Sequence, residues 1–139
     1  MKILIAVDGS EQTQRMLAYL AQHQLFAAGN TYTVLTVVPE LPKRAASYVS
    51  SDVVKGYYQE EADKVLEPVR AFFAQKGVSA QFEFKMGHPA HEIAQAAEKG
   101  GYDLLALGSH GHGALGNLIM GSVATKVVSQ CKVPVLLLR

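Results

Sequence analysis

The sequence predicts a doubly wound α/β domain with a five-stranded, mostly parallel sheet, and three observations predict it. Four runs, residues 3–7, 32–38, 104–107 and 133–138, are nearly continuous in apolar side chains, as strands buried on both faces must be. Stretches of helical periodicity separate the strands, giving the order β-α-β-α-β-α-β-α-β. The length of 139 residues points to one domain, residues 1–139, able to bury roughly two thirds of the surface its unfolded chain exposes.

Each element has its own signal. The first strand, 3–7, runs into Asp8-Gly9-Ser10 and a helix from Ser10 to about Ala28. The second strand ends near Pro39-Glu40, and the polar stretch 39–46 reads as a loop long enough to fold over a ligand. A helix over about 47–76 repeats Tyr58, Ala62, Val65, Leu66, Val69, Phe72 and Phe73 at steps of three and four, which gives it one apolar face. Pro68 lies within that pattern and should kink the helix, since it lacks an N–H. Residues 81–86 alternate, with Phe82, Phe84 and Met86 on one face and Gln81, Glu83 and Lys85 on the other, as in a half-exposed edge strand. A helix over 90–99, the strand 104–107 closed by Gly108, and a helix over 122–130 follow. Pro134 cannot donate to a ladder, so the last strand belongs at an edge, yet Val133, Val135, Leu136, Leu137 and Leu138 are too apolar for an edge left bare.

Composition narrows the function classes. Hydrophobic residues are 49% and charged residues 18%, the profile of a globular chain. A net charge of +1, without a Lys/Arg run, gives no general attraction to nucleic acid or acidic membranes, so neither partner is expected. The apolar run at the N-terminus is too short for a signal peptide and none approaches membrane-spanning length, so a cytoplasmic location is expected. The single cysteine, Cys131, has no internal disulfide partner and reads as core filler.

The chemistry concentrates near the C-terminus, where Gly108-Ser109-His110-Gly111 is followed, nine residues on, by Gly121-Ser122. Glycines let backbone N–H groups approach a phosphate, and a Ser hydroxyl at a helix start adds a donor beside the positive end of the dipole. All twelve carboxylate side chains lie in residues 1–103, so the cradle segment carries no charge that would repel an anion. In a doubly wound sheet, ligands bind outside the carboxyl ends of the strands, where Asp8, Pro39-Glu40 and Gly108 all fall. Taken singly, Gly108 could end a strand, Ser122 could cap a helix and Asp8 could cap the helix near Ser10; the glycines and Ser122 together point to an anion site. The overlapping Gly111-x-Gly113-x-x-Gly116 is not a dinucleotide fingerprint, because it follows the fourth strand and no acid follows it. The pairs His88 and His91, and His110 and His112, lack the further ligands of a zinc site.

The unit Gly108-x2-Gly111-x9-Gly121-Ser122 resembles the G-x2-G-x9-G-[ST] motif of the ATP-binding branch of the universal stress protein family. The resemblance is nearly full length, from residues 2–11 through Val133-Pro134-Val135-Leu136-Leu137. It implies a Rossmann-like fold of the adenine nucleotide alpha hydrolase type and a set of nucleotide contacts. Val7 and Asp8 match the end of the first strand, where the family acid accepts from ribose hydroxyls or lies near a bound metal such as Mg2+. Val37 matches the position whose backbone meets adenine. Gly108, His110 and Gly111 would line ribose and phosphate, and Gly121, Ser122 and Val123 would donate to the phosphate tail. His110 and His112 replace the Arg or Lys often found there in relatives, which implies phosphate binding that weakens as they deprotonate. A homodimer through the last strand, residues 133–138, is also implied.

The leading function is therefore an ATP-binding protein of stress response or signalling, with the nucleotide as a conformational or partner switch. Two alternatives stay open: a slow ATP hydrolase, and a dimerising module that holds AMP or another phosphorylated small molecule. The enzyme is second because no lysine or arginine is placed to steady a transferring phosphoryl group.

Overall fold

Alternate residues of the interior strands go to opposite faces, and both faces are apolar, so the chain must cover the sheet with helices on each side. A computed structural model describing residues 1–23, 29–109 and 120–139 shows this arrangement. The elements are β1 (Lys2–Ala6), α1 (Glu11–Gln22), β2 (Thr31–Val38), α2 (Lys43–Ala46), α3 (Ser51–Lys76), β3 (Gln81–Met86), α4 (Pro89–Lys99), β4 (Leu104–Gly108), α5 (Ser122–Gln130) and β5 (Val135–Leu138). The five strands form one sheet in the order β3-β2-β1-β4-β5, and every pairing is parallel.

The alternation splits the core in two. Ile3, Ile5 and Val7 join Met16, Leu17 and Leu20 of α1 and Ala62, Leu66, Val69 and Phe73 of α3 on one face. Leu4, Ala6, Leu35, Leu105 and Leu107 meet Ile93 and Ala97 of α4 and Ala124 and Val127 of α5 on the other. The apolar face read from the second helical pattern is the buried one: Tyr58, Ala62, Leu66, Val69 and Phe73 are buried, with Val65 and Phe72 packed at its margin. The helix is continuous across Pro68. Its far end is closed by Gly77, whose φ of 69° is the left-handed conformation that lets Val78 N–H return 3.0 Å to the carbonyl of Phe73.

Both edge strands are where the sequence places them, β3 at one margin and β5 at the other. Three boundaries differ. The stretch 39–46, expected as a loop, contains the one-turn helix α2, and α3 starts at Ser51 because Ser50 takes the N-cap and accepts from Val53 N–H at 3.3 Å. The last strand begins at Val135 rather than Val133: Pro134 has no N–H, so pairing opens with its carbonyl accepting from Leu105 N–H at 2.9 Å. Met86, expected on the covered face of its strand, is 45% exposed at the end of β3. The proposed extension of the first helix to Ala28 lies outside the described residues, as do His110, Gly111, His112, Gly113 and Gly116.

Candidate nucleotide site

The chain winds from β1 through β2 to β3 on one side and returns through β4 to β5 on the other, so the topological switch point is between β1 and β4. Register sets the residues around it. Ala6 pairs with Leu35, and Ile5 with Ala106. Counted on past the paired residues, the register sets Asp8 opposite Val37 on one neighbour and Ser109 on the other. Val7 still belongs to the ladder, donating to Leu35 O at 2.9 Å, so Asp8 is the first residue clear of it.

The two halves of the predicted cradle meet. Gly121 N–H donates to Ser109 O at 2.6 Å, and Ser109 N–H donates to Leu138 O at 2.8 Å. These bonds bring the end of β4, the start of α5 and the end of β5 to one point. Gly121 is the N-cap of α5, and its carbonyl accepts the first intrahelical bond from Thr125 N–H at 3.0 Å. Ser122, Val123 and Ala124 thus occupy the first turn, where N–H groups have no carbonyl partner within their own helix. Ser122 is exposed, Val123 half-buried and Ser109 buried. No acidic residue occupies the first turn of α5, so the partial positive charge of the helix end is not neutralised there.

Asp8 is exposed and held from below. Its Oδ1 accepts from Ser10 N–H at 3.0 Å, Ser10 Oγ at 2.6 Å and Thr13 Oγ1 at 3.1 Å. Gly9, with φ of 79°, makes the turn that lets Ser10 N–H face back to this oxygen. The role of Ser10 and Thr13 was not read from the sequence. A signal for half of it was present, since an Asp followed two residues later by Ser is an Asx-turn pattern. Gln12 was also missed: its side-chain amide donates to Leu138 O, tying α1 to the same point as Ser109.

Val37 lies in β2 opposite Lys85 and packs at the margin of the core on the α4 and α5 face. The structure thus gathers Val7, Asp8, Val37, Gly108, Gly121, Ser122 and Val123 at the carboxyl end of the sheet; His110 and Gly111 fall outside the described residues. A cleft of about 260 Å³ between α1 and α3 shares Gly9 and Ser10 with this region but opens on the helix side, and Lys64 at its wall is paired with Glu61 at 2.9 Å. That pairing raises the Lys64 pKa, first through the hydrogen bond and then through the charge of Glu61. Among the described residues no three of His, Cys, Asp or Glu come together as a metal site, and no helix is long and apolar enough to cross a membrane.

The sequence profile of the universal stress protein family matches residues 1–139. The chain belongs to the universal stress protein family. The universal stress protein YxiE of Bacillus subtilis is 32% identical over 150 residues, which cover 99% of this chain and 98% of that one. Among solved structures, MJ0577 of Methanocaldococcus jannaschii has a TM-score of 0.83 at 26% identity, with 99% of this chain and 94% of that chain covered. Two further universal stress protein structures share the fold and hold adenine nucleotides themselves. One, from Arabidopsis thaliana, has AMP bound (TM-score 0.70, 18% identity, 99% and 90% covered). The other, from Archaeoglobus fulgidus, is a complex with dAMP (TM-score 0.70, 19% identity, 100% and 98% covered).

Proposed function

We propose that this universal stress protein binds ATP, with or without Mg2+, at the carboxyl end of the sheet, and that the nucleotide acts as a switch rather than as a substrate. The observation that carries the reading is the meeting of the two halves of the cradle, Gly121 N–H on Ser109 O, beside the acid-free first turn of α5 and across the switch point from Asp8 at the end of β1. A carboxylate is an acceptor suited to a ribose diol, and it stands on the far side of the switch point from the donors a phosphate needs. In this reading Asp8 accepts from the ribose, the backbone at Val37 meets the adenine edge, and Gly108, Gly121, Ser122 and Val123 line the phosphates. The AMP and dAMP complexes of fold neighbours support an adenine nucleotide and keep AMP as the second reading.

A thermal shift with Mg·ATP tests it. At a hundredfold excess over Kd the ligand should stabilise the fold by about 2.7 kcal/mol, a rise in Tm of several degrees. No shift at millimolar ATP ends the proposal; a shift with AMP that ATP cannot match moves the site to the second reading.

We also propose that two copies pair through β5. The two sheet margins differ: β3 presents Gln81, Glu83 and Lys85, whereas β5 presents Val135, Leu136 and Leu137, all half-buried in the single chain. Charged side chains discourage strand addition, and an apolar edge invites it. Light scattering at micromolar concentration should return twice the chain mass, and Leu137→Glu should return the chain mass alone. A wild-type chain that scatters as a monomer removes this reading.

A further inference from the structure

We propose that Gln12 is a positioning residue for the nucleotide, one that sets the distance between the turn after β1 and the phosphate cradle. This rests on the nucleotide reading above and deepens it. Gln12 is half-buried in the first turn of α1, the helix that leaves the Asp8-Gly9-Ser10 turn and lies over β4 and β5. Its side-chain amide donates to the carbonyl of Leu138 at the end of β5. That carbonyl also accepts from Ser109 N–H at 2.8 Å, and Ser109 O in turn accepts from Gly121 N–H at 2.6 Å, at the N-cap of α5. On the other side, the hydroxyls of Ser10 and Thr13 hold the same end of α1 to Asp8. Hydrogen bonds and one helical turn thus join the end of β1 to the start of α5, and the Gln12 amide makes the crossing.

What the bond supplies is placement. The Leu138 carbonyl has Ser109 N–H as a partner already, so Gln12 is not needed to keep a buried acceptor paired. Nor is it needed to dock the helix, because Met16, Leu17 and Leu20 form the buried apolar face of α1. The strand it reaches is four residues long and pairs with β4 alone within the chain, so its end gains from a second hold. A nucleotide that spans from the end of β1 to the cradle draws on both ends at once only when they stand at the spacing of its sugar and phosphates. A spacing held before the ligand arrives does not have to be ordered at the moment of binding.

The test compares ATP with its two halves, adenosine and inorganic tripolyphosphate, on wild type, Gln12→Met and Gln12→His, by calorimetry for ATP and by amide chemical shifts for the halves at millimolar concentration. Gln12→Met keeps the length of the side chain without its donor. It should bind ATP about fivefold more weakly, the size of one neutral hydrogen bond, while each half binds as it does to wild type. Gln12→His, measured above neutral pH where the imidazole is uncharged, returns an N–H at similar reach and should restore the affinity for ATP. If Gln12→Met binds ATP as wild type does, or weakens the halves as much as ATP, the positioning role is wrong while the nucleotide site stands. Loss of ATP affinity in Gln12→His as large as in Gln12→Met also overturns it. A half that wild type does not hold is left out of the comparison, and the rescue by Gln12→His then decides alone. If wild type binds no ATP, both readings fall together. Should Gln12→Met not fold, Gln12→Ala takes its place.

Discussion

Phe73→Ala should lower the free energy of unfolding by about 3–5 kcal/mol, a large share of the roughly 5–15 kcal/mol typical of a domain. Phe73 is 1% exposed on α3, and its ring meets Phe82 of β3 edge-on at 5.7 Å and Tyr32 of β2 at 6.2 Å. It thus joins α3 to the outer half of the sheet, where β3 has only one strand neighbour. Removing the ring loses its transfer energy and its edge-to-face contacts, and leaves a cavity among residues held by two strands that cannot collapse into it. Urea denaturation should show a lower midpoint at an unchanged slope. Phe72→Ala, at the half-exposed neighbouring ring, should cost less than half as much. A loss under about 1 kcal/mol at Phe73 would mean that α3 can shift to fill the space.

Asp8→Ala should weaken ATP binding by about 10- to 100-fold, the cost of hydrogen bonds to a charged acceptor. The direction of the change carries the information. A carboxylate on the ribose contributes affinity, but a carboxylate beside the phosphate tail opposes it by charge repulsion. Measured without Mg2+, weaker binding on removal of Asp8 places the acid at the sugar; tighter binding places it at the phosphates and overturns the assignment. Asp8→Asn, which keeps an oxygen able to accept from Ser10 and Thr13, should fall between wild type and alanine.

Much of this architecture was legible in the chain because its causes are periodic. Strands buried on both faces must be apolar at every position, so β1, β2 and β4 stand out as runs, and a helix laid on a sheet must repeat at three and four, as Tyr58 to Phe73 does. The gathering of Asp8, Val37 and Gly108 at one end of the sheet follows from strand order, since neighbouring parallel strands end near one another. The elements missed depend on single local events. The helix α2 is one turn long, too short for a period, and the late start of β5 depends on the one N–H that Pro134 lacks. The hydrogen bond from Thr13 to Asp8 depends on which way a threonine hydroxyl turns, which no spacing rule expresses.

The unequal margins of the sheet also bear on stoichiometry. A strand edge that accepts a copy of itself can in principle propagate, each addition exposing a new edge, which is the route to fibres. Here the edges are of two kinds, and joining β5 to β5 about a two-fold axis uses both apolar edges and leaves a β3 at each outer end. In the proposed dimer Glu83 and Lys85 would put charge on the strand at each end of a ten-stranded array, so assembly would have nowhere further to go. A sheet with one receptive side would count to two and stop.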